Sequence, residues 1–460
     1  MPPDKQKQMM TYEKRVGNYR WVIATLLLFS TTINYMDRQV ISYVKDYFCT
    51  PIAKGGFGWT DNQYSYITSF FTAFYAGITV IAGLVIDRIG TKLGLAISLI
   101  TWSVFGILNA FAGSSVVTHT AVRSLFGIGE AGNFPASIKA VAEWFPKKER
   151  ALATGIFNSG ANIGAMIAAL FVPWCLIHWG EAQGWKMAYI ITGAAGFIWL
   201  IFWFWLYNSP SQCQFVSKKE YDFIHEDDLA VHVAPSEDVA VREKVSWWKL
   251  FRYPQTWAFF WGKFMTDGIW WFLLFWLPDY LKKQFGMNLH QIMWPTFVVY
   301  AISIVGSTYG GNLPRMMINR GMPVSKARMT AMFIIALLPL LLLLTQYFGD
   351  KDVFGNYAST LAIAMICIGA AAHQAWSANL FTTVSDMFPK KAIGSVTGIG
   401  GMAGGIGGVI IQRLSGILNT AYSSHPQTAY LIMFVVCALA YITAWVIISI
   451  LTRKPTTIDV

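Results

Sequence analysis

Long apolar stretches separated by short polar connections dominate this chain. They fall at 20–44, 62–86, 93–112, 118–142, 151–178 and 186–207, then at 254–280, 291–314, 328–347, 355–386, 392–418 and 427–451. A helix rises about 1.5 Å per residue, so stretches of this length can cross a hydrocarbon layer about 30 Å thick. The pattern predicts an all-α membrane protein with twelve transmembrane helices. Basic residues test the count, because a wrong number would scramble their alternation. The amino-terminal lysines and arginines, Arg88 and Lys92, Lys147, Lys148 and Arg150, and the Lys218–Arg252 group all fall on one side. Arg315 to Arg328, Lys390 and Lys391, and Arg453 and Lys454 join them, giving about 24 basic residues on that side against about six on the other. Positive charge accumulates in cytoplasmic loops, so both termini are expected in the cytoplasm. The first stretch is too long for a signal-peptide core and lacks a small-residue cleavage site, which predicts a retained helix.

The longest polar interval, 208–253, carries His225, Glu226, Asp227, Asp228, Glu237 and Asp238 with almost no apolar periodicity. It reads as a cytoplasmic linker between a six-helix bundle at 1–207 and a second at 254–460. At about 45 residues it is too short to bury an enzyme core. The two bundles repeat one another. Glu143-Trp144-Phe145-Pro146-Lys147-Lys148, with Thr154-Gly155 and Gly164, recurs as Asp386-Met387-Phe388-Pro389-Lys390-Lys391, with Thr397-Gly398 and Gly407, every position shifted by the same interval. Both copies sit on the cytoplasmic loop between the fourth and fifth helix of their half. Repeats of equal orientation are related by an axis along the membrane normal, and a substrate path is expected between them.

Composition agrees. The chain is 55% hydrophobic and 13% charged, with a mean hydropathy of +0.45, far from the charge a soluble protein of this size exposes. The net charge of +11 lies in clusters between apolar runs rather than along one polar face, which argues against nucleic-acid binding. Cys49, Cys175, Cys213, Cys367 and Cys437 show no metal-ligand spacing and read as packing residues, so neither a metal nor a cofactor is expected. No GxSxG, HExxH or P-loop pattern supports an enzyme.

Gly83-Leu84-Val85-Ile86-Asp87-Arg88-Ile89-Gly90-Thr91-Lys92 marks the loop after the second helix, with a degraded echo from Gly310 to Lys326. Glycines let helices approach closely, and Asp87 beside Arg88 can form an ion pair that gates the cytoplasmic face. This loop, the two six-helix halves and the repeated Phe-Pro-Lys-Lys resemble the major facilitator superfamily. Asn34-Tyr35-Met36-Asp37-Arg38-Gln39 and the stretch from Arg123 through Glu130 to Pro135 resemble its anion:cation symporter family. Phe157-Asn158-Ser159-Gly160-Ala161-Asn162-Ile163-Gly164 and Ala372-His373-Gln374-Ala375-Trp376-Ser377-Ala378-Asn379 resemble the hexuronate transporters of that family, although sugar-acid, aldonate and aromatic-acid carriers share much of the pattern. The similarity runs over essentially the whole chain. It implies a multi-pass protein of a bacterial inner membrane, with a small organic anion and a proton as its partners.

Charges inside a membrane are costly enough that Asp37, Arg38, Arg123 and Glu130 should face the bundle interior or a watery cavity. Arg123, Gly127 and Glu130 share one helical face, with the arginine and carboxylate about 10 Å apart along the axis. Arg38 lies roughly 27 Å above Arg20 and Arg123 roughly 30 Å above Glu143, so both guanidinium groups can reach similar depth and select an anion. Arginine suits this task, because its planar fork binds a carboxylate through two parallel hydrogen bonds and keeps its charge. Tyr35, Tyr75, Asn133, Asn158, Asn162, His373, Gln374, Trp376, Ser377 and Asn379 are the candidates for sugar hydroxyls and ring faces, with Trp376 expected on the ring. Each could instead be an interhelical fastener.

Coupling needs a group that changes charge, and Glu130, with Asp37 as a second site, is placed to carry the proton. Sodium would require further acidic or carbonyl ligands that the sequence does not cluster. The expected activity is proton-coupled import of glucuronate, galacturonate or a related sugar acid, by a monomer. The rival readings are a uniporter or exchanger of aldonates or aromatic acids, and a transporter-fold sensor.

Overall fold

The computed structural model describes residues 17–226, 247–388 and 390–452. The linker acids from Asp227 to Asp238 and the basic residues at 5–15 and 453–454 lie outside the described residues. So does Pro389 of the repeat, along with the side chains of Lys147, Asp386, Lys390 and Lys391.

The first half consists of α1 (Tyr19–Cys49), α2 (Asp61–Ile89), α3 (Thr91–Asn109), α4 (Val116–Glu130), α5 (Asn133–Trp144), α6 (Lys147–His178) and α7 (Glu181–Leu206). After a short linker helix, α8 (Lys218–Ile224), the second half consists of α9 (Pro254–Phe285), α10 (Leu289–Asn319), α11 (Val324–Leu337), α12 (Ala358–Met387), α13 (Lys390–Ala421) and α14 (Pro426–Leu451). Each expected stretch is helical. The fourth differs: it breaks at Ala131 and Gly132 into α4 and α5. Pro135 has no N–H to offer the Ala131 carbonyl, and Gly132 lies so close to Ser98 that no side chain fits there. Pro339 similarly tightens the continuation of α11 into a 3-10 turn from Leu338 to Leu344.

Among the described residues, nine helices are long and apolar enough to cross a membrane. The three other long segments, α1, α4 with α5, and α9, fall outside that criterion, so it does not establish the count of twelve. Among them are the segments that carry Asp37, Arg38, Arg123 and Glu130.

Both halves use the same starts and seams. Thr60 with Gln63 and Asn288 with Gln291 form reciprocal capping boxes that open α2 and α10. The repeated glycines also perform one task twice. A side chain on Gly164 would run into the Thr32 carbonyl of α1, and one on Gly407 into the Phe264 carbonyl of α9. The repeat therefore marks backbone-to-backbone packing of α6 on α1 and of α13 on α9. Overfilling such a seam costs about 1–3 kcal/mol or more. Gly164→Val and Gly407→Val are each expected to lower the melting temperature in detergent, while Gly155→Val, where nothing lies within 4 Å, leaves it in place.

The chain's direction gives the molecule two ends, a linker end and an opposite far end. At the linker end, Arg20 binds Glu149 (2.7 Å) and Glu220 of α8 (3.3 Å). Glu143 there accepts hydrogen bonds from Thr91 and Tyr207, both at 2.7 Å. Polar links between the halves run through the middle and the far end. Asn162 of α6 accepts from Ser303 of α10 (3.0 Å), and Tyr64 of α2 donates to the Phe275 carbonyl of α9 (3.0 Å). Arg413 of α13 reaches Ser65 (2.6 Å) and stacks 3.5 Å from the Tyr66 ring centre.

The far end also carries an ion cluster. Lys45 lies between Asp61 and Asp279, 2.6 Å from each, and Lys283 binds the same two carboxylates at 2.8 and 3.0 Å. Tyr430 donates to Asp279, and Lys282 pairs with Asp46 beside it. Three of these pairs, Lys45–Asp279, Lys283–Asp61 and Lys282–Asp46, tie one half to the other.

Candidate functional site

Four charged side chains meet inside the first half, near the middle of α1 and at the break between α4 and α5. Asp37, Arg38, Arg123 and Glu130 are each 1% exposed. Arg38 directs Nε (2.9 Å) and Nη2 (2.8 Å) at one carboxylate oxygen of Glu130, and Nη2 also reaches Asn34 Oδ1 at 3.3 Å. The break after Glu130 places this carboxylate on a helix end rather than within a continuous helix. Glu130 Oε1, both Asp37 oxygens and Arg123 Nε and Nη1 are buried with no hydrogen-bond partner among the described residues.

The two arginines do not face the path equally. Arg38 lies among aromatic rings, with its guanidinium carbon 4.3 Å from Tyr35, 4.6 Å from Tyr75, 5.2 Å from Trp271 and 5.6 Å from Phe71. Trp271 belongs to the second half, so Arg38 stands at the boundary between halves. Arg123 lies one layer deeper, 4.5 Å from Phe126 and 5.0 Å from Phe71, and donates from Nη2 to the Arg38 carbonyl at 3.1 Å. In this conformation Arg123 thus stands behind the Arg38 backbone, with Nε and Nη1 left without a partner among the described residues. Asp37 likewise faces inward, beside Thr192 and Trp102 and within electrostatic reach of Arg123.

Tyr35 and Tyr75 are thus beside Arg38. The remaining polar candidates are dispersed. Asn133 accepts from Ser30 (2.7 Å) and donates to Thr31 (3.3 Å), fastening α5 to α1. Asn162 is held by Ser303 across the halves. Asn379 donates to the Gly310 carbonyl (2.8 Å) and to Ala375 (2.9 Å). His373 is stacked 5.2 Å from Trp270 and bonded to the Tyr441 hydroxyl at 2.8 Å. Trp376 is fully buried, edge-on to Tyr441 at 5.6 Å. In this conformation it packs inside the second half rather than beside Arg38. Asn158 is exposed, and Gln374 and Ser377 are half-buried.

The gate motif is also rearranged. Asp87 pairs with Lys139 of α5 (3.2 Å), which donates to the Ile86 carbonyl as well (2.9 Å), while Arg88 is exposed. Neighbouring residues on a helix point about 100° apart, so a base one turn-width away on another helix meets Asp87 better than Arg88 does. On α9, Lys263 and Asp267 pair one turn apart, at 2.6 Å.

Sequence reasoning missed two groups here. Trp271 lies in an aromatic-rich run that gave no reason to prefer it. Lys45 and Asp279 are charges within long helices, the signal that singled out Arg38, but they sit near the helix ends.

A helical bundle with helices long and apolar enough to cross a membrane, and with charges buried inside it, is the build of a membrane transporter. The chain belongs to the Major Facilitator Superfamily, whose family model matches residues 27–412. It is 30% identical to the hexuronate transporter of Escherichia coli strain K12 over 443 residues, 96% of each chain. It is also 30% identical to the galacturonate transporter of Dickeya chrysanthemi over 306 residues, covering 66% of this chain and 83% of that one. Among solved structures, a bacterial homologue of the human lysosomal transporter Spinster, inward-facing and unoccupied, superposes with a TM-score of 0.73 at 18% identity, covering 95% of this chain and 99% of that one.

Proposed function

We propose that this transporter is a proton-coupled importer of a hexuronate, such as glucuronate or galacturonate, or of a related sugar acid. The buried charge set of Asp37, Arg38, Arg123 and Glu130 carries this reading. Fully ionised, the four groups sum to zero. Adding a substrate carboxylate leaves one uncompensated negative charge in a poorly solvating interior, which costs several kcal/mol. Adding a proton to Glu130 removes that cost and at the same time frees the Nε and Nη2 edge of Arg38 for the incoming carboxylate. Anion and proton therefore favour one another's binding, which is the requirement for symport. The two relatives that transport sugar acids support the substrate class.

In this reading the three polar helices, α1, α4 with α5, and α9, also cross the membrane, giving twelve spans. Both termini lie in the cytoplasm of a bacterial cell, and the protein sits in the inner membrane as a monomer. The far end, shut by the Lys45 cluster, faces outward, and the halves rock to exchange access between the two sides.

The test is uptake of radiolabelled glucuronate and galacturonate into proteoliposomes, with and without an inward proton gradient. The wild type is expected to accumulate substrate only with the gradient. Glu130→Gln is expected to lose accumulation while retaining exchange, because a neutral side chain mimics the protonated, binding-competent site. Equal uptake with and without a gradient would point to a uniporter or exchanger. No uptake of either acid would point to another substrate or to a sensor.

A further inference from the structure

We propose that Trp271 is the specificity-determining residue supplied by the second half, and that it makes the site prefer a cyclic sugar acid to an open-chain one. This rests on the reading of Arg38 as the carboxylate anchor. Tyr35, Phe71 and Tyr75 surround Arg38 from the first half, and Trp271 faces it from the second, 5.2 Å from the guanidinium carbon.

The indole is held firmly. Its ring is parallel to Phe275 at 5.8 Å and edge-on to Tyr75 and Phe71 at 5.9 and 6.1 Å, and the residue is 8% exposed. The Trp271 carbonyl accepts from Gln412 Nε2 at 3.0 Å, and Gln412 Oε1 in turn accepts from Trp276 (2.7 Å) and from Thr68 of the first half (3.2 Å). Gly408 leaves the space the ring needs: a Cβ there would lie 2.6 Å from Cδ1 and 3.0 Å from Nε1. An indole fixed on three sides is a flat wall rather than an adaptable contact.

The geometry decides which ligand body fits that wall. The Arg38 guanidinium carbon is 5.2 Å from the indole centre, so a carboxylate held on that fork would bring its attached carbon beside the indole. A pyranose ring presents a continuous C–H face that lies flat on an aromatic plane, while its hydroxyls point outward to Tyr35 and Tyr75. An open-chain aldonate of the same carbon number turns hydroxyls to every side, so part of its polar surface would be pressed on the indole without partners. Trp271 thus favours the ring and penalises the chain.

The test compares galacturonate with galactonate as unlabelled competitors of labelled galacturonate uptake, in wild type, Trp271→Phe, Trp271→Leu and Gly408→Ala. Trp271→Leu is expected to weaken inhibition by galacturonate about tenfold, as for loss of a buried aromatic anchor, and inhibition by galactonate by less than about threefold. Trp271→Phe should fall between. Gly408→Ala, which displaces the indole without removing it, should shift the ratio in the same direction. Equal shifts for both acids, or none, with a wild type that takes up galacturonate, would overturn this assignment alone. A wild type that takes up no sugar acid would overturn the functional reading and this assignment with it.

Discussion

Arg38→Lys is expected to reduce sugar-acid uptake about ten- to a hundredfold while leaving a folded protein. The positive charge survives the exchange, so a site that needed only a cation would tolerate it. What disappears is the fork. Arg38 uses Nε and Nη2 on a single Glu130 oxygen and keeps its plane among Tyr35, Tyr75 and Trp271. An ammonium is a compact point charge that cannot meet a carboxylate with two parallel donors. Each charged hydrogen bond contributes about 1.5–3 kcal/mol, so losing one arm of the fork amounts to a factor of about ten to a hundred in binding. Initial uptake rates over a range of substrate concentrations, normalised to monodisperse protein on size exclusion, would measure it. A lysine variant within threefold of wild type would sink the anchor role.

Lys45→Met is expected to open the far end. Lys45 is buried between Asp61 of its own half and Asp279 of the other, and Lys283 completes the alternation of charges. Removing one partner of a buried pair costs about 3–5 kcal/mol, here paid only by the arrangement that buries the cluster. That is more than a hundredfold in the balance between closed and open. Ser42 lines a cavity of about 540 Å³ at this end, together with Lys45, Asp46, Asp279 and Lys282, and is itself buried. In a Cys49→Ser background, a cysteine replacing Ser42 should therefore react with a maleimide at least about tenfold faster when Lys45 is methionine. An unchanged rate would show that the ion pairs ride on a closure held by other contacts, such as Arg413 on Tyr66 and Ser65.

The bundle was legible because a membrane leaves few choices. Long apolar runs can only be helices there, and the glycines that the sequence shows only as a repeat turn out to sit in matching seams, Gly164 on α1 and Gly407 on α9. The charges at 37, 38, 123 and 130 were legible for a similar reason, since their cost demands an interior role. Which of them faces the other half was not, because spacing along one helix fixes a face but not the neighbour it meets. Arg123 turned inward to the Arg38 carbonyl for that reason, and Asp87 found Lys139 rather than Arg88. Trp271 and the Lys45 cluster depend on contacts between residues far apart in sequence, for which no local pattern exists. The break at Ala131 had a readable sign in Pro135, though an apolar run conceals it.

Arg38 and Lys45 stand two turns apart on α1, and Trp271 and Asp279, which meet them, stand a little over two turns apart on α9. Site and latch are therefore successive rungs between the same two uprights. One upright is an uninterrupted helix; the other contains Pro278, immediately before the upper rung, where the missing N–H leaves a point of easy bending. In the proposed cycle, parting such a ladder would take the form of a peel that starts at the upper rung, so the far end would widen before Trp271 leaves Arg38. A substrate entering from that end would then meet an open mouth above a floor already in place.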